Sequence, residues 1–165
     1  MLVELQISLL IVTLLVGVLS LNFRQVLISW QHMLTDVQLA NAGRYMQVFL
    51  EKEIGYNGLR ISVDQLLPLH TQRIVVQTVR QGTYYTYYWK RSKLGLYRQT
   101  DTLESRGVNP LYISECSMTA WKVKKVADNA LVVSFTLQKN DRQKKFTQLI
   151  LCVNGSVDVG EAGTG

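Results

Sequence analysis

Hydrophobic and polar positions fall into two regimes along this chain. From Leu2 to Leu21 almost every residue is apolar, and Glu4 is the one charged residue before Arg24. About 20 such residues suffice to carry a helix across the hydrocarbon core of a bilayer. The helical period then persists as a stripe. Phe23, Val26, Leu27, Trp30, Leu34 and Val37 recur at three- and four-residue steps, and Leu39, Ala42, Met46, Phe49 and Leu50 continue it with a slight drift. Arg24, Gln25, Gln31, Asp36, Arg44 and Lys52 fall largely off the stripes. Gly55 and Asn57-Gly58 are stop and turn residues. The pattern predicts one helix over residues 2–54, uniformly apolar at first and amphipathic later.

After residue 59 the period shortens. The stretch 59–69 is mixed, with a short helical turn expected at Ser62-Val63-Asp64-Gln65 before Pro68. Strands are expected at 73–80, 83–90 and 94–99 as a meander, then a polar loop over 100–110. Leu111 to Ser114 gives no clear signal. Further strands are expected at 117–126, 130–138 and 144–153, joined by turns at Asp128-Asn129 and Lys139-Asn140-Asp141-Arg142. The fold class is therefore α+β: a long N-terminal helix packed on one antiparallel β-sheet. The expected organisation is a transmembrane half-helix at 1–22 and a globular domain at 23–155. That domain comprises an amphipathic helix at 23–54 and a sheet at 73–153. A flexible tail follows at 156–165.

Glu4 is the anomaly. A charged side chain at mid-bilayer costs roughly 2.5–3.5 kcal/mol on insertion scales, so a compensating cation is expected. A secretory signal peptide fits poorly, because no Lys or Arg precedes the run and no A-x-A-like site follows it. A simple anchor with Glu4 near the headgroups is the plainer alternative.

Leu2-Val3-Glu4-Leu5 followed by an apolar helix resembles the start of mature type IV pilins and pseudopilins. That family begins with an N-methylated aromatic residue and carries glutamate as its fifth residue. The resemblance implies that Glu4 pairs with the terminal amine of a neighbouring subunit during assembly. Glu4 is fourth here, so one mature residue and a leader are expected to precede Met1, with Lys or Arg followed by Gly in that leader. Such a leader would also offset Arg24, which alone favours a cytoplasmic domain. Many pilins carry a proline near the position of Asn22, which this chain lacks; Gly17 leaves room for a kink. Helix first and strand meander afterwards is again similar to the pilin fold. The polar loop between two sheet-forming halves most resembles J-type pseudopilins and W-type minor pilins.

The family implies a structural, non-enzymatic subunit that assembles into, or initiates, a type IV pilus or type II secretion pseudopilus. Its partners would be other pilin or pseudopilin subunits, an inner-membrane assembly platform and membrane lipid. Its location would be the cytoplasmic membrane before assembly, then the filament, with the C-terminal domain outside the cytoplasm.

Composition adds a second possibility. The chain has 165 residues and a formal net charge of +6, with every Lys and Arg after residue 21. Removing the apolar run leaves enough for one modest domain. A basic exterior favours anionic partners, or is simply a solvated surface. In the strand Thr83 to Lys90, Tyr84, Thr86, Tyr88 and Lys90 share one face, and Tyr85, Tyr87, Trp89 and Arg91 the other. Exposed aromatics among cations can stack on bases and hold phosphates; the same residues also make stabilising cross-strand pairs. The candidate nucleic-acid contacts are Lys90, Arg91, Lys93, Arg98, Lys122, Lys124 and Lys125. The alternative function is thus a DNA-binding minor pilin for DNA uptake.

Catalytic and metal chemistry find little support. His32 and His70 lie far apart, and His32 has only Asp36 one turn away. Glu51 and Glu53 are two apart on a helix, on different faces. There is no glycine-rich phosphate loop and no G-x-S-x-G elbow. Asn140-Asp141, or Asp158 with Glu161, fall short of the six to eight oxygens calcium takes. No cofactor or metal is expected. Cys116 and Cys152 are expected to close one disulfide in an exported domain, with two buried thiols as the alternative.

Overall fold

The computed structural model of the chain describes residues 2–66, 71–78, 83–90, 93–102, 106–111 and 115–159. Its class is α+β, as the periodicity predicts. Helix α1 runs from Leu2 to Leu50, with no break at Gly17 or Asn22. The chain divides into two compact units, Met1–Val37 and Gln38–Gly165.

The first unit is helix alone. Its apolar side chains are exposed, from Leu2 through Leu21 and on through Phe23, Val26, Trp30, Leu34 and Val37. Two of its hydroxyls are satisfied within the helix: Thr13 Oγ1 donates to the carbonyls of Leu9 and Leu10, and Ser20 Oγ to that of Val16, at 2.8–2.9 Å. That is the bonding a polar group needs where no water reaches it.

In the second unit the same helix turns one face inward. Leu39, Ala42, Met46 and Leu50 are buried, at spacings of three and four. A Cβ on Gly43 would come within 2.1 Å of the Phe146 ring, so the absent side chain is what lets that ring reach the helix backbone. The helix ends in a wider, π-helical turn, Glu51–Tyr56, and Asn57 N–H donates to the Lys52 carbonyl at 3.2 Å. Gly55 lies against the backbone of Leu151, where a Cβ would sit 2.9 Å from the carbonyl oxygen.

Nine strands follow among the described residues: β1 Gly58–Leu66, β2 Thr71–Thr78, β3 Tyr84–Lys90, β4 Gly95–Asp101, β5 Arg106–Leu111, β6 Ser117–Ala127, β7 Ala130–Lys139, β8 Arg142–Leu151 and β9 Ser156–Val159. They make two sheets, not one. The larger has the order β5-β4-β3-β2-β1-β9, antiparallel except for the parallel β1–β9 pair; the smaller is the meander β6-β7-β8. Ile61, Val63, Ile74, Val76, Tyr87 and Leu96 from the first share a core with Val123, Leu131, Val133, Phe135, Leu137 and Ile150 from the second and with the helix face. Two indoles link the sheets. Trp121 Nε1 donates to the Gln72 carbonyl at 3.0 Å, and Trp89 Nε1 to that of Met118 at 2.8 Å. Each lets a large apolar ring be covered without leaving its N–H unsatisfied.

Several expectations are corrected. Ser62-Val63-Asp64-Gln65 is not a helical turn but part of β1, with Ile61 and Val63 inward and Ser62 and Asp64 outward. The sheet region therefore begins at Gly58, not 73. The polar loop contains most of β5, an edge strand exposed from Arg106 to Pro110 that has no apolar alternation to betray it. The first four residues of the expected flexible tail form β9. There Val157 is buried and its N–H donates to the Asp128 carbonyl at 2.6 Å. Residues 160–165 lie outside the described residues. Burial of the helix begins near Thr35 and Leu39, so the compact domain starts at Gln38 where 23 was expected.

Candidate functional site

Three features carry chemistry. The first is the helix of residues 2–37. Glu4 lies in its first turn, where the positive end of the helix dipole favours a carboxylate. An 18-residue window of this helix reaches a mean hydropathy of 2.4 with none of it buried. It is long and apolar enough to cross a membrane once.

The second is the outward face of the larger sheet. Register lines up three rows across five strands: Asp64–Arg73–Tyr88–Tyr97–Pro110, Ser62–Val75–Thr86–Gln99–Val108, and Arg60–Gln77–Tyr84–Asp101–Arg106. Its arginines are matched by carboxylates: Arg60 with Asp158 and Arg73 with Asp64 at 3.3 Å, and Arg106 with Asp101 at 3.2 Å. Such exposed pairs add little stability; what they do is cancel the charge of the face.

The third is a cleft of about 750 Å3 at one end of that face. Tyr88 and Tyr97 are stacked there, with ring centroids 5.9 Å apart and planes 23° apart. Lys90 Nζ lies 5.8 Å from the Tyr97 ring centroid, a cation–π distance. Lys93 stands at the β3–β4 turn, Pro110 on β5, and Glu115 and Cys116 ahead of β6. Leu94 and Glu115, both lining it, hold positive φ angles of 46° and 55°. Bulky or branched residues rarely adopt that conformation, and such strain gathers at ligand sites. The Leu94 turn is held by its carbonyl, which accepts Met118 N–H at 2.6 Å. Glu115 receives Lys139 Nζ at 2.6 Å, and this hydrogen bond keeps its carboxyl below the usual carboxylate range.

The structure does not bring the six described candidate basic residues together. Lys90 and Lys93 reach the cleft. Arg98 turns to the core side, 3.7 Å from Glu53 and 5.1 Å from the Tyr85 ring centroid. Lys122 and Lys124 are exposed on the outer face of the smaller sheet, in register with Ser134 and Val132. Lys125 pairs with Asp128 at 2.9 Å, which lowers the Asp128 pKa. Arg91 and His70 lie outside the described residues.

The disulfide expectation is not met: both cysteines are free, Cys116 half-buried and Cys152 buried. The topology explains why. Cys116 precedes Ser117, which pairs through Gln138 to Gln143 at the β7–β8 turn, whereas Cys152 bonds Asn129 at the β6–β7 turn. Ten-residue strands at about 3.3 Å per residue separate those ends by roughly 30 Å, and a disulfide tolerates about 7 Å between Cα atoms. Burial raises both thiol pKa values, so neither is a ready nucleophile.

Sequence reasoning missed one cluster. Glu53, on the π-helical turn, accepts the Tyr87 hydroxyl at 3.0 Å and faces Arg98. Burial, then the Glu53 charge, pushes Tyr87 above the ordinary tyrosine range. The adjacent Phe49 ring meets Tyr87 edge-on at 6.3 Å. Three residues from distant stretches thereby fix the end of the helix to the sheet. Glu51 instead accepts Gln148 Nε2 at 3.2 Å. Among the described residues no group of three His, Cys, Asp or Glu is placed to hold a metal ion.

No family model, curated protein or solved structure matches the chain.

Proposed function

We propose that this protein is a structural, non-enzymatic subunit of a pilin-like filament, a minor pilin or pseudopilin of a type IV pilus or type II secretion pseudopilus. The observation that carries the reading is α1. One unbroken helix has a first part apolar enough for a bilayer, a carboxylate in its first turn, and a last part built into the core of an α+β domain. A plain anchor needs no helical continuity with the domain it holds. A filament subunit does, because force and register pass from helix to domain.

In this reading the helix sits in the cytoplasmic membrane until an assembly platform extracts it into contact with other subunits, and the domain stands outside the cytoplasm. Glu4 gives each subunit one carboxylate near the end of its apolar segment. Facing a neighbour's amine, that charge sets the axial register, because ionic attraction strengthens where water is excluded. The test is Glu4→Leu, with Glu4→Asp as the conservative variant. Filament content measured in sheared fractions should fall several-fold for Glu4→Leu, while circular dichroism of the domain stays unchanged. Normal incorporation of Glu4→Leu would remove the assembly role.

A further inference from the structure

The cleft on the larger sheet is not used by the filament reading, and its chemistry differs from the rest of that face. Elsewhere the outward arginines are cancelled by aspartates. Lys90 and Lys93 form no ion pair among the described residues, and they stand where the tyrosines are. Glu115, which also lines the cleft, is already paired with Lys139. Among the described residues the cleft therefore presents positive charge that no carboxylate pairs, beside stacked aromatic rings, within the volume range of small-ligand sites. Its wall is shaped by two residues in the left-handed conformation, Leu94 and Glu115.

We infer that this cleft binds single-stranded nucleic acid, stacking one or two unpaired bases on Tyr97 and Tyr88 and holding the adjoining phosphates with Lys90 and Lys93. In the free protein the Lys90 ammonium lies over the Tyr97 ring. A base replaces it with its own π-face, and the ammonium moves to the phosphate. Strand geometry supports this: Lys90 stands two residues beyond Tyr88 on the same outward face, and Gly95, paired with Lys90, puts no side chain beside it. A duplex keeps its bases inside the stack and cannot make the contact. A polyglutamate peptide offers charge without the ring.

The test uses the full chain in detergent micelles and a short fluorescein-labelled oligothymidylate, read by anisotropy between about 50 and 200 mM salt. The oligonucleotide should bind more tightly than a duplex of equal length or a polyglutamate peptide. Tyr97→Ala should weaken binding roughly 5- to 100-fold, the range seen for loss of a stacking platform, and Tyr97→Phe should keep most of it. Lys90→Ala and Lys93→Ala should each lower the slope of log affinity against log salt by about 0.7. Lys93→Glu, at an exposed turn, keeps the test decisive if Tyr97→Ala fails to fold. Equal binding of duplex or polyglutamate, indifference to both Tyr97→Ala and Lys93→Glu, or a loss that follows Lys122→Glu and Lys124→Glu instead, would overturn the site.

Discussion

Residues 2–37 and 38–50 belong to one helix, and its apolar stripe over 23–37 is similar to that over 38–50, but the two stretches meet opposite surroundings. Phe23, Val26, Trp30, Leu34 and Val37 are at least two-fifths exposed, whereas Leu39, Met46 and Leu50 are at most 1% exposed. Their glycines differ in the same way: a Cβ added at Gly17 would find nothing within 4 Å, and one at Gly43 would meet the Phe146 ring. Periodicity therefore tells which face of a helix is apolar but not what will cover it. In the second stretch the sheets cover it. In the first, an apolar surface this large calls for lipid or other helices, since each fully buried Leu or Val is worth about 1.5–3 kcal/mol.

The largest expected effect tests that contrast directly. Leu39→Ala should cost about 2–5 kcal/mol of domain stability, measured by chemical denaturation in micelles followed by near-ultraviolet circular dichroism. Leu19→Ala, its counterpart in the exposed stretch, should leave the same transition within about 0.5 kcal/mol. Equal losses would mean that the two stretches share one packing environment.

Alkaline titration should act on the domain that covers the second stretch. The Tyr87 hydroxyl is held above its ordinary range, so above about pH 10 the unfolded chain loses a proton that the folded domain keeps. Through this group stability falls as pH rises, by at most about 1.4 kcal/mol per unit, beside the smaller part lost through the buried thiols. Tyr87→Phe should flatten that limb, and an unchanged limb would remove the Glu53–Tyr87 contact from the description.

Glycine substitutions sharpen the comparison further. In either stretch alanine gains roughly 0.5–1 kcal/mol of helix propensity. At Gly43 the clash with Phe146 should outweigh it, since overpacking costs about 1–3 kcal/mol, for a net loss of roughly 1 kcal/mol. Gly17→Ala should show no loss. A Gly43→Ala domain as stable as the parent would mean the Phe146 ring moves freely.

The smallest effect lies at the cleft rim. Lys139 holds the exposed Glu115 carboxyl down, a contribution present above the ordinary carboxylate range and lost as pH falls through the lowered value. Lys139→Ala should return the Glu115 titration, followed by nuclear magnetic resonance, upward to ordinary values. No shift would show that the pair is not formed in solution.

Much of the secondary structure was legible where one face of an element is buried. Helix α1 and strands β2, β3, β4, β6, β7 and β8 have apolar residues at the right period, and the Asp128-Asn129 and Asn140-Asp141 turns match their hairpins. Asn140 even adopts the positive φ that such turns favour. Strands β5 and β9 were not legible. One is an exposed edge containing Gly107 and Pro110, the other four residues among small and acidic ones; both are strands because a neighbour offers unpaired backbone groups. The placement of the basic residues was not legible for a related reason: charges counted along the chain do not tell which face of which sheet each one takes, so Arg98 turns toward Glu53 while Lys122 and Lys124 stand on the smaller sheet.

The chain's local order thus determined its helix, its strand meanders, the apolar segment with Glu4 and the alternation that divides the aromatics of β3 between two faces, because these follow from period and propensity within a few residues. Tertiary structure alone decided that there are two sheets, that Cys116 and Cys152 lie at opposite ends of one of them, that Glu53 meets Tyr87 and Arg98, and that only Lys90 and Lys93 among the described candidate cations reach the tyrosine cleft. Those outcomes depend on strand register and on pairings between residues tens of positions apart, which no local pattern encodes.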